Sequence, residues 1–90
     1  MDTSRKVQDI LRTKLSASKV EVLDQSHLHA GHQAALSSGG GHYTVIVVAE
    51  IFKNKKMLER HRMIYQALSE ELKTSIHALV INAYTPDEHN

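Results

Sequence analysis

The sequence predicts a small α+β domain with the order α-β-β-α-β, a three-stranded sheet carrying its helices on one face. Three features predict it. A helical apolar period opens the chain, a β-branched and aromatic run stands at 43–51, and a second helical period leads into a closing apolar strand. At 90 residues the chain suits a single domain, taken over 1–90 with its core at about 4–86.

Val7, Ile10, Leu11 and Leu15 recur at helical spacing, and Asp2, Thr3 or Ser4 is available as a cap. Residues 4–15 therefore read as an amphipathic helix, ended by Ser16, Ala17 and Ser18. Residues 19–24 alternate polar and apolar side chains, the pattern of a half-buried strand. Residues 25–42 hold four histidines, four glycines and three serines against two leucines. Gly39, Gly40 and Gly41 weaken any helix or strand there, so the segment reads as a loop. Loops beyond ~12–15 residues inside compact domains are uncommon and often functional.

The run at 43–51 is nearly continuous in apolar residues, as in a central strand covered on at least one face. Lys53, Asn54, Lys55 and Lys56 make a basic turn. A long helix is expected over 56–72. Its apolar stripe is read as Leu58, His61, Tyr65, Leu68 and Leu72, beside Met57 and Ile64, with room for a further helical turn near 69–74. Thr74 and Ser75 interrupt it, residues 77–84 read as the third strand, and Pro86 closes the domain. Strands one and two should pair antiparallel across the loop. Strands two and three, joined through a helix, should be parallel.

Composition narrows the function. A domain this size buries only about 60% of its unfolded surface, which favours a surface site or a partner interface over a deep cavity. There is no cysteine, so the chain offers neither a disulfide nor a thiolate ligand. A formal net charge of +1 gives bulk electrostatics little pull on nucleic acid or membrane, although seven histidines raise the charge below pH ~6.5. No apolar run approaches the ~20 residues of a membrane span, and the N-terminus lacks a secretory apolar core. The expected compartment is the bacterial cytoplasm or, in a eukaryote, the cytosol or mitochondrial matrix. The expected state of the isolated chain is a monomer. No nucleophile constellation or Walker loop occurs, and an enzyme is not expected.

Imidazoles are the remaining chemistry. His27, His29 and His32 form a His-x-His-x-x-His run in the glycine-rich loop. Such a run can be aimed at one ion, or it can be three solvated side chains, and the spacing matches no zinc-finger or HExxH motif. His77 opens the third strand on the side expected for Leu79, Ile81 and Ala83. It reads either as a structural histidine or as a ligand presented from a rigid strand end. His61 lies on the helical stripe and reads as buried and structural. Lys53, Lys55, Lys56, Arg60 and Arg62 form a basic patch suited to a partner or to nucleic-acid phosphate, although such clusters are commonly just solvated.

Taken together, these residues resemble the BolA family. The matching stretches are Ser26 and His27 through Gly31 and His32, then His42, Tyr43, Thr44 and Val45 leading into Val47 and Val48. Phe52 follows, then Arg60, His61 and Arg62 with Leu68, Glu71 and Leu72, then Ile76, His77, Ala78 and Leu79, and last Ala83, Tyr84, Thr85 and Pro86. The combination of Arg-His-Arg and a His-Ala-Leu strand with 14 residues between is the most specific part. The resemblance implies a fold like a type II KH domain. It also implies an adaptor that binds a monothiol glutaredoxin and shares a glutathione-dependent [2Fe–2S] cluster with it. The family's ligand positions carry over to His77 and His32, with His27 and His29 as substitutes, and no cluster is expected in the isolated chain. Two departures are visible. Asn54 stands where the family often has glycine, and Gly40 and Gly41 stand where it often has a polar pair. Asparagine tolerates left-handed backbone angles, so the turn should survive. The competing function is DNA-binding transcriptional regulation through the KH-like fold and basic patch. The glycines, at 31, 39, 40 and 41, form no Gly-x-x-Gly clamp between helices, which argues against RNA binding in the KH manner.

Overall fold

The computed structural model describes residues 3–25 and 41–89. Helix α1 (Thr3–Leu15) is followed by strands β1 (Lys19–Asp24) and β2 (Gly41–Val48) and a single 3-10 turn at Glu50–Phe52. Helices α2 (Met57–Ala67) and α3 (Ser69–Thr74), strand β3 (Ile76–Tyr84) and the short helix α4 (Pro86–His89) complete the order. The sheet runs β1-β2-β3, antiparallel between the first pair and parallel between the second. The α+β class, strand directions and α-β-β-α-β order are as the sequence predicts, and the KH-like description is consistent with them.

Register explains the core. Val20, Val47 and Ala83 form one row across the sheet, and Val22, Val45 and Ile81 form the next. These side chains share one face, and Val7, Leu11, Leu15, Phe52, Ile64 and Leu68 pack with them from the helices and the 3-10 turn. Burial of each such aliphatic side chain is worth about 1.5–3 kcal/mol. Helix α1 ends at Ser16, whose φ of 51° takes the left-handed place more often given to glycine. Asn54 does the same in the basic turn, with φ 65°, so the departure from glycine there is accommodated.

Four expectations need correction. Strand β2 begins at Gly41 and ends at Val48, so the strand takes two residues from the expected loop. Residues 50–52 wind into the 3-10 turn, which buries Phe52 and leaves Ile51 45% exposed. The long helix is divided at Leu68, whose φ of −102° and ψ of 20° separate α2 from α3. Lys14 Nζ donates to the Ala67 carbonyl at 3.3 Å, supplying one of the acceptors' partners that the break leaves open.

The last correction concerns the helical stripe. The buried residues of α2 are Arg60, Ile64 and Ala67, whereas Leu58 is 62% exposed and Tyr65 43%. His61 is only half-buried, and its side chain makes no hydrogen bond among the described residues. The apolar stripe read from the sequence is therefore turned by about one position. The displacing residue is Arg60. Its Nε donates to the Lys55 carbonyl at 2.9 Å and its Nη1 to the Ala83 carbonyl at 3.1 Å. Its two terminal nitrogens grip both oxygens of Glu88, at 2.6 and 3.1 Å. The guanidinium lies 5.9 Å from the centroid of buried Phe52. One side chain thus joins the start of α2, the end of β3 and α4, and Arg60 leaves the basic patch.

Arg60→Ala orphans two carbonyls and removes packing on Phe52, so it should lower stability by about 1–3 kcal/mol in urea unfolding. Leu58→Ala should stay within about 0.5 kcal/mol of the parent. Equal losses would restore the original stripe. The hydrogen bonds from Arg60, with that from the Thr85 N–H, hold the Glu88 carboxyl down at about 2 from its ordinary 4.5. A depressed folded-state value means a contribution that is full above pH 4.5 and fades as pH falls toward 2. Glu88→Gln should flatten the stability decline in that acid window, read from urea midpoints.

Candidate functional site

Alternation along the strands sends one set of side chains to the core and the other outward. On the outward face Leu23, Thr44 and Val80 form a row, and Glu21, Ile46 and Asn82 form the next. His42 belongs to the same face by alternation, two residues before Thr44. Its backbone is fixed on both sides. The Gln25 N–H donates to the His42 carbonyl at 2.8 Å, and the preceding Gly41 N–H donates to the Ser75 carbonyl at 3.0 Å. Thr44 Oγ1 donates to Gln25 Oε1 at 2.6 Å, tying the end of β1 to the same corner.

His77 reaches this corner through an irregularity. Gly41 pairs with Ile76 and His42 with Ala78, so His77 is an extra residue in the ladder. The slip reverses the phase of β3. Ile76 stays in the core, and beyond the bulge Leu79, Ile81 and Ala83 face inward, while His77 is exposed. The expectation that His77 shares a side with Leu79 and Ile81 is thereby overturned, since strict period-2 counting cannot pass through a bulge. The His77 ring instead meets that of His42, with centroids 5.2 Å apart and planes at 50°.

These two imidazoles, on adjacent parallel strands, make the one ring contact between histidines among the described residues. No group of three or more His, Cys, Asp or Glu able to hold a metal occurs among those residues, so the pair falls short of a closed site. Neutral imidazole is a ligand for iron, zinc and copper, and a pair leaves coordination positions for donors from elsewhere. His27, His29 and His32 lie outside the described residues. The sequence leaves His42 at the end of the loop expected over 25–42 and assigns it no ligand role. The usable signal was parallel pairing, which sets the openings of β2 and β3 side by side and so brings 42 near 77.

The basic patch is partly dismantled. Lys53, Lys55, Lys56 and Arg62 are exposed, whereas Arg60 is 7% exposed and committed to Glu88. No helix among the described residues is long and apolar enough to cross a membrane.

Comparison with known proteins agrees with the fold. Residues 11–88 match the family model described as BolA-like protein. The chain is 39% identical over 87 residues to SufE-like protein 1, chloroplastic/mitochondrial, of Arabidopsis thaliana, covering 92% of this chain but only 24% of that protein. It is 36% identical over 86 residues to the DNA-binding transcriptional regulator BolA of Escherichia coli, covering 92% of this chain and 75% of the regulator. Among solved structures, the BolA domain of SufE1 from Arabidopsis thaliana superimposes with a TM-score of 0.81 at 35% identity, over 98% of each chain.

Gly41 sets the local geometry of the pair. A Cβ there would stand 2.8 Å from both Cζ and Oη of buried Tyr43, and closer still to Cε2. Gly41→Ala should therefore displace the Tyr43 ring, cost about 1–3 kcal/mol in urea unfolding and shift the His42 ring resonances by NMR. A stability and His42 spectrum like the parent's would show that the corner tolerates the methyl group.

Proposed function

The chain belongs to the BolA family, and from that premise we propose that it is an adaptor which binds a monothiol glutaredoxin and shares a glutathione-dependent [2Fe–2S] cluster with it through histidine. The observation that carries this reading is the His42–His77 ring contact at a pinned strand end, with His77 exposed and His42 half-buried, in a chain with no cysteine. Imidazoles without thiolates suit part of a cluster's donor set and leave the remainder to a partner. The glutaredoxin cysteine and glutathione supply that remainder. A bound cluster would bring one-electron chemistry, and histidine in place of cysteine on one iron raises its potential.

This chain's own part is placement. His77 is the fixed ligand, because its backbone is already ordered in β3, whereas ordering loop residues costs roughly 1–2 kcal/mol each. Two candidates compete for the second position: His32 from the loop, with His27 and His29 as substitutes, and His42, already beside His77. Either choice makes retention proton-dependent, since a ligating imidazole must be neutral. The role is assembly, transfer or sensing of the cluster, not catalysis by this chain.

DNA-binding regulation is the second reading. It is favoured by the name of the Escherichia coli relative and by the exposed Lys53, Lys55, Lys56 and Arg62. It is weakened by the withdrawal of Arg60 from the surface.

His77→Ala should abolish the visible circular dichroism of the mixed complex or return it to that of the glutaredoxin homodimer. His42→Ala and His32→Ala, compared directly, identify the second ligand by which of them makes the cluster labile. Acidification should release the cluster from the parent complex. A parent-like spectrum for His77→Ala removes the reading and moves DNA binding ahead, to be checked by salt-dependent titration of Lys55→Glu/Lys56→Glu against duplex DNA.

A further inference from the structure

Beyond the end of β2 opposite the histidines, the connection to α2 holds its apolar side chains outward. Ile51, Met57 and Leu58 are all exposed, Met57 by 52%, although they stand within eight residues of one another. The segment that carries them is ordered. Fully buried Phe52 anchors the 3-10 turn from beneath. The Lys53 N–H donates to the Glu50 carbonyl and the Lys55 N–H to the Phe52 carbonyl, both at 3.0 Å, and Arg60 Nε holds the Lys55 carbonyl at 2.9 Å. Lys53, Lys55 and Lys56 are interleaved with the apolar side chains and are exposed. Leu58, Arg62 and Tyr65 continue the patch at i, i+4 and i+7 along α2, away from its buried line of Arg60, Ile64 and Ala67. Glu50 and Glu59 are the only carboxylates in residues 50–67. Four exposed cations therefore outnumber two acids here, a local excess that the net charge of +1 does not show.

We propose that this end of the domain docks on an anionic lipid surface, with Ile51, Met57 and Leu58 entering the headgroup layer and the lysines and Arg62 meeting its phosphates. Charge complementarity sets the sign of the occupant, and the aliphatic side chains set its kind. One occupant must answer both the cations and the apolar groups interleaved with them. A bilayer does so by depth, with negative charge at its surface and an apolar medium just below. Lysine stems are long enough to leave the ammonium among the headgroups while their neighbours go deeper. Duplex DNA answers the cations equally well, but it admits aliphatic side chains only where its bases are unstacked. The contact is independent of the cluster reading. Gly41–Val48 separates it along the sheet from the His42–His77 corner, which stays clear of the lipid.

The test is co-sedimentation of the full chain with sucrose-loaded vesicles, one set of phosphatidylcholine alone and one of equal parts phosphatidylcholine and phosphatidylserine. The parent should bind the anionic vesicles at least about tenfold more tightly than the neutral ones. Met57→Ser/Leu58→Ser should weaken anionic binding about tenfold and leave the response to duplex DNA within about twofold of the parent's. Both replaced side chains are more than half exposed, and far-UV circular dichroism checks that the fold persists. A measurement on the parent needs no substitution: a spin-labelled lipid in the anionic vesicles should broaden the methyl resonances of Ile51, Met57 and Leu58 and spare those of Leu23 and Val80 on the sheet. Absence of binding to anionic vesicles, parent-like binding by the double variant, or broadening centred on Leu23 and Val80 overturns the proposal. Duplex DNA that displaces the vesicles and binds the double variant more tightly than any vesicle also overturns it, and assigns the lysines to nucleic acid.

Discussion

A sheet of three strands has two faces, and in this chain the helices bury only one of them. Every other feature answers to that constraint. The rows Val20–Val47–Ala83 and Val22–Val45–Ile81 take up the helix-covered side, so the alternate residues are delivered outward whether or not they are polar. At one end of the open face that set includes His42. The bulge at His77 then adds a second imidazole that regular alternation would have pointed toward the core. A defect of one residue in the β2–β3 ladder thus separates a structural histidine from an exposed one.

The same economy shapes the other end of the sheet. Arg60 is buried although it is cationic, because each direction of its guanidinium meets an acceptor: the Lys55 and Ala83 carbonyls and the Glu88 carboxylate. A buried charge without such partners would be prohibitively costly. The arrangement closes the C-terminal segment against α2 and the end of β3, far along the strands from the histidines. In the function proposed above, structural and functional duties are divided between the two ends of one sheet, with Arg60 serving the first and His77 assigned the second.

Much of this was legible in the residues. Helix α1, the three strands and their directions follow from periodicity and from the length of the connections. The sequence also marked His77 as the more informative histidine, because it stands at a strand end. Three things were not legible, each for a physical reason. Leu58, His61 and Tyr65 match a helical stripe as well as Arg60, Ile64 and Ala67 do, and burial of an arginine becomes favourable only through acceptors brought together by the fold, the Lys55 and Ala83 carbonyls and the carboxylate of Glu88. The 3-10 turn at Glu50–Phe52 continues an apolar run, so composition alone extends the strand through it. The bulge at His77 leaves no local signature, and without it the meeting of residues 42 and 77 on the open face is invisible. His27, His29 and His32 fall outside the described residues, so their part rests on the family resemblance.

The central claim is that an imidazole of this chain is bonded to iron in the shared cluster. The most direct measurement labels only this chain's histidines with nitrogen-15, assembles the mixed complex with glutathione-loaded glutaredoxin, reduces the cluster and records its pulsed electron-paramagnetic-resonance spectrum. The account predicts strong nitrogen-15 hyperfine couplings of an iron-bound imidazole, and their loss or reduction in His77→Ala. A reduced cluster with only the weak couplings of distant nitrogens would contradict it.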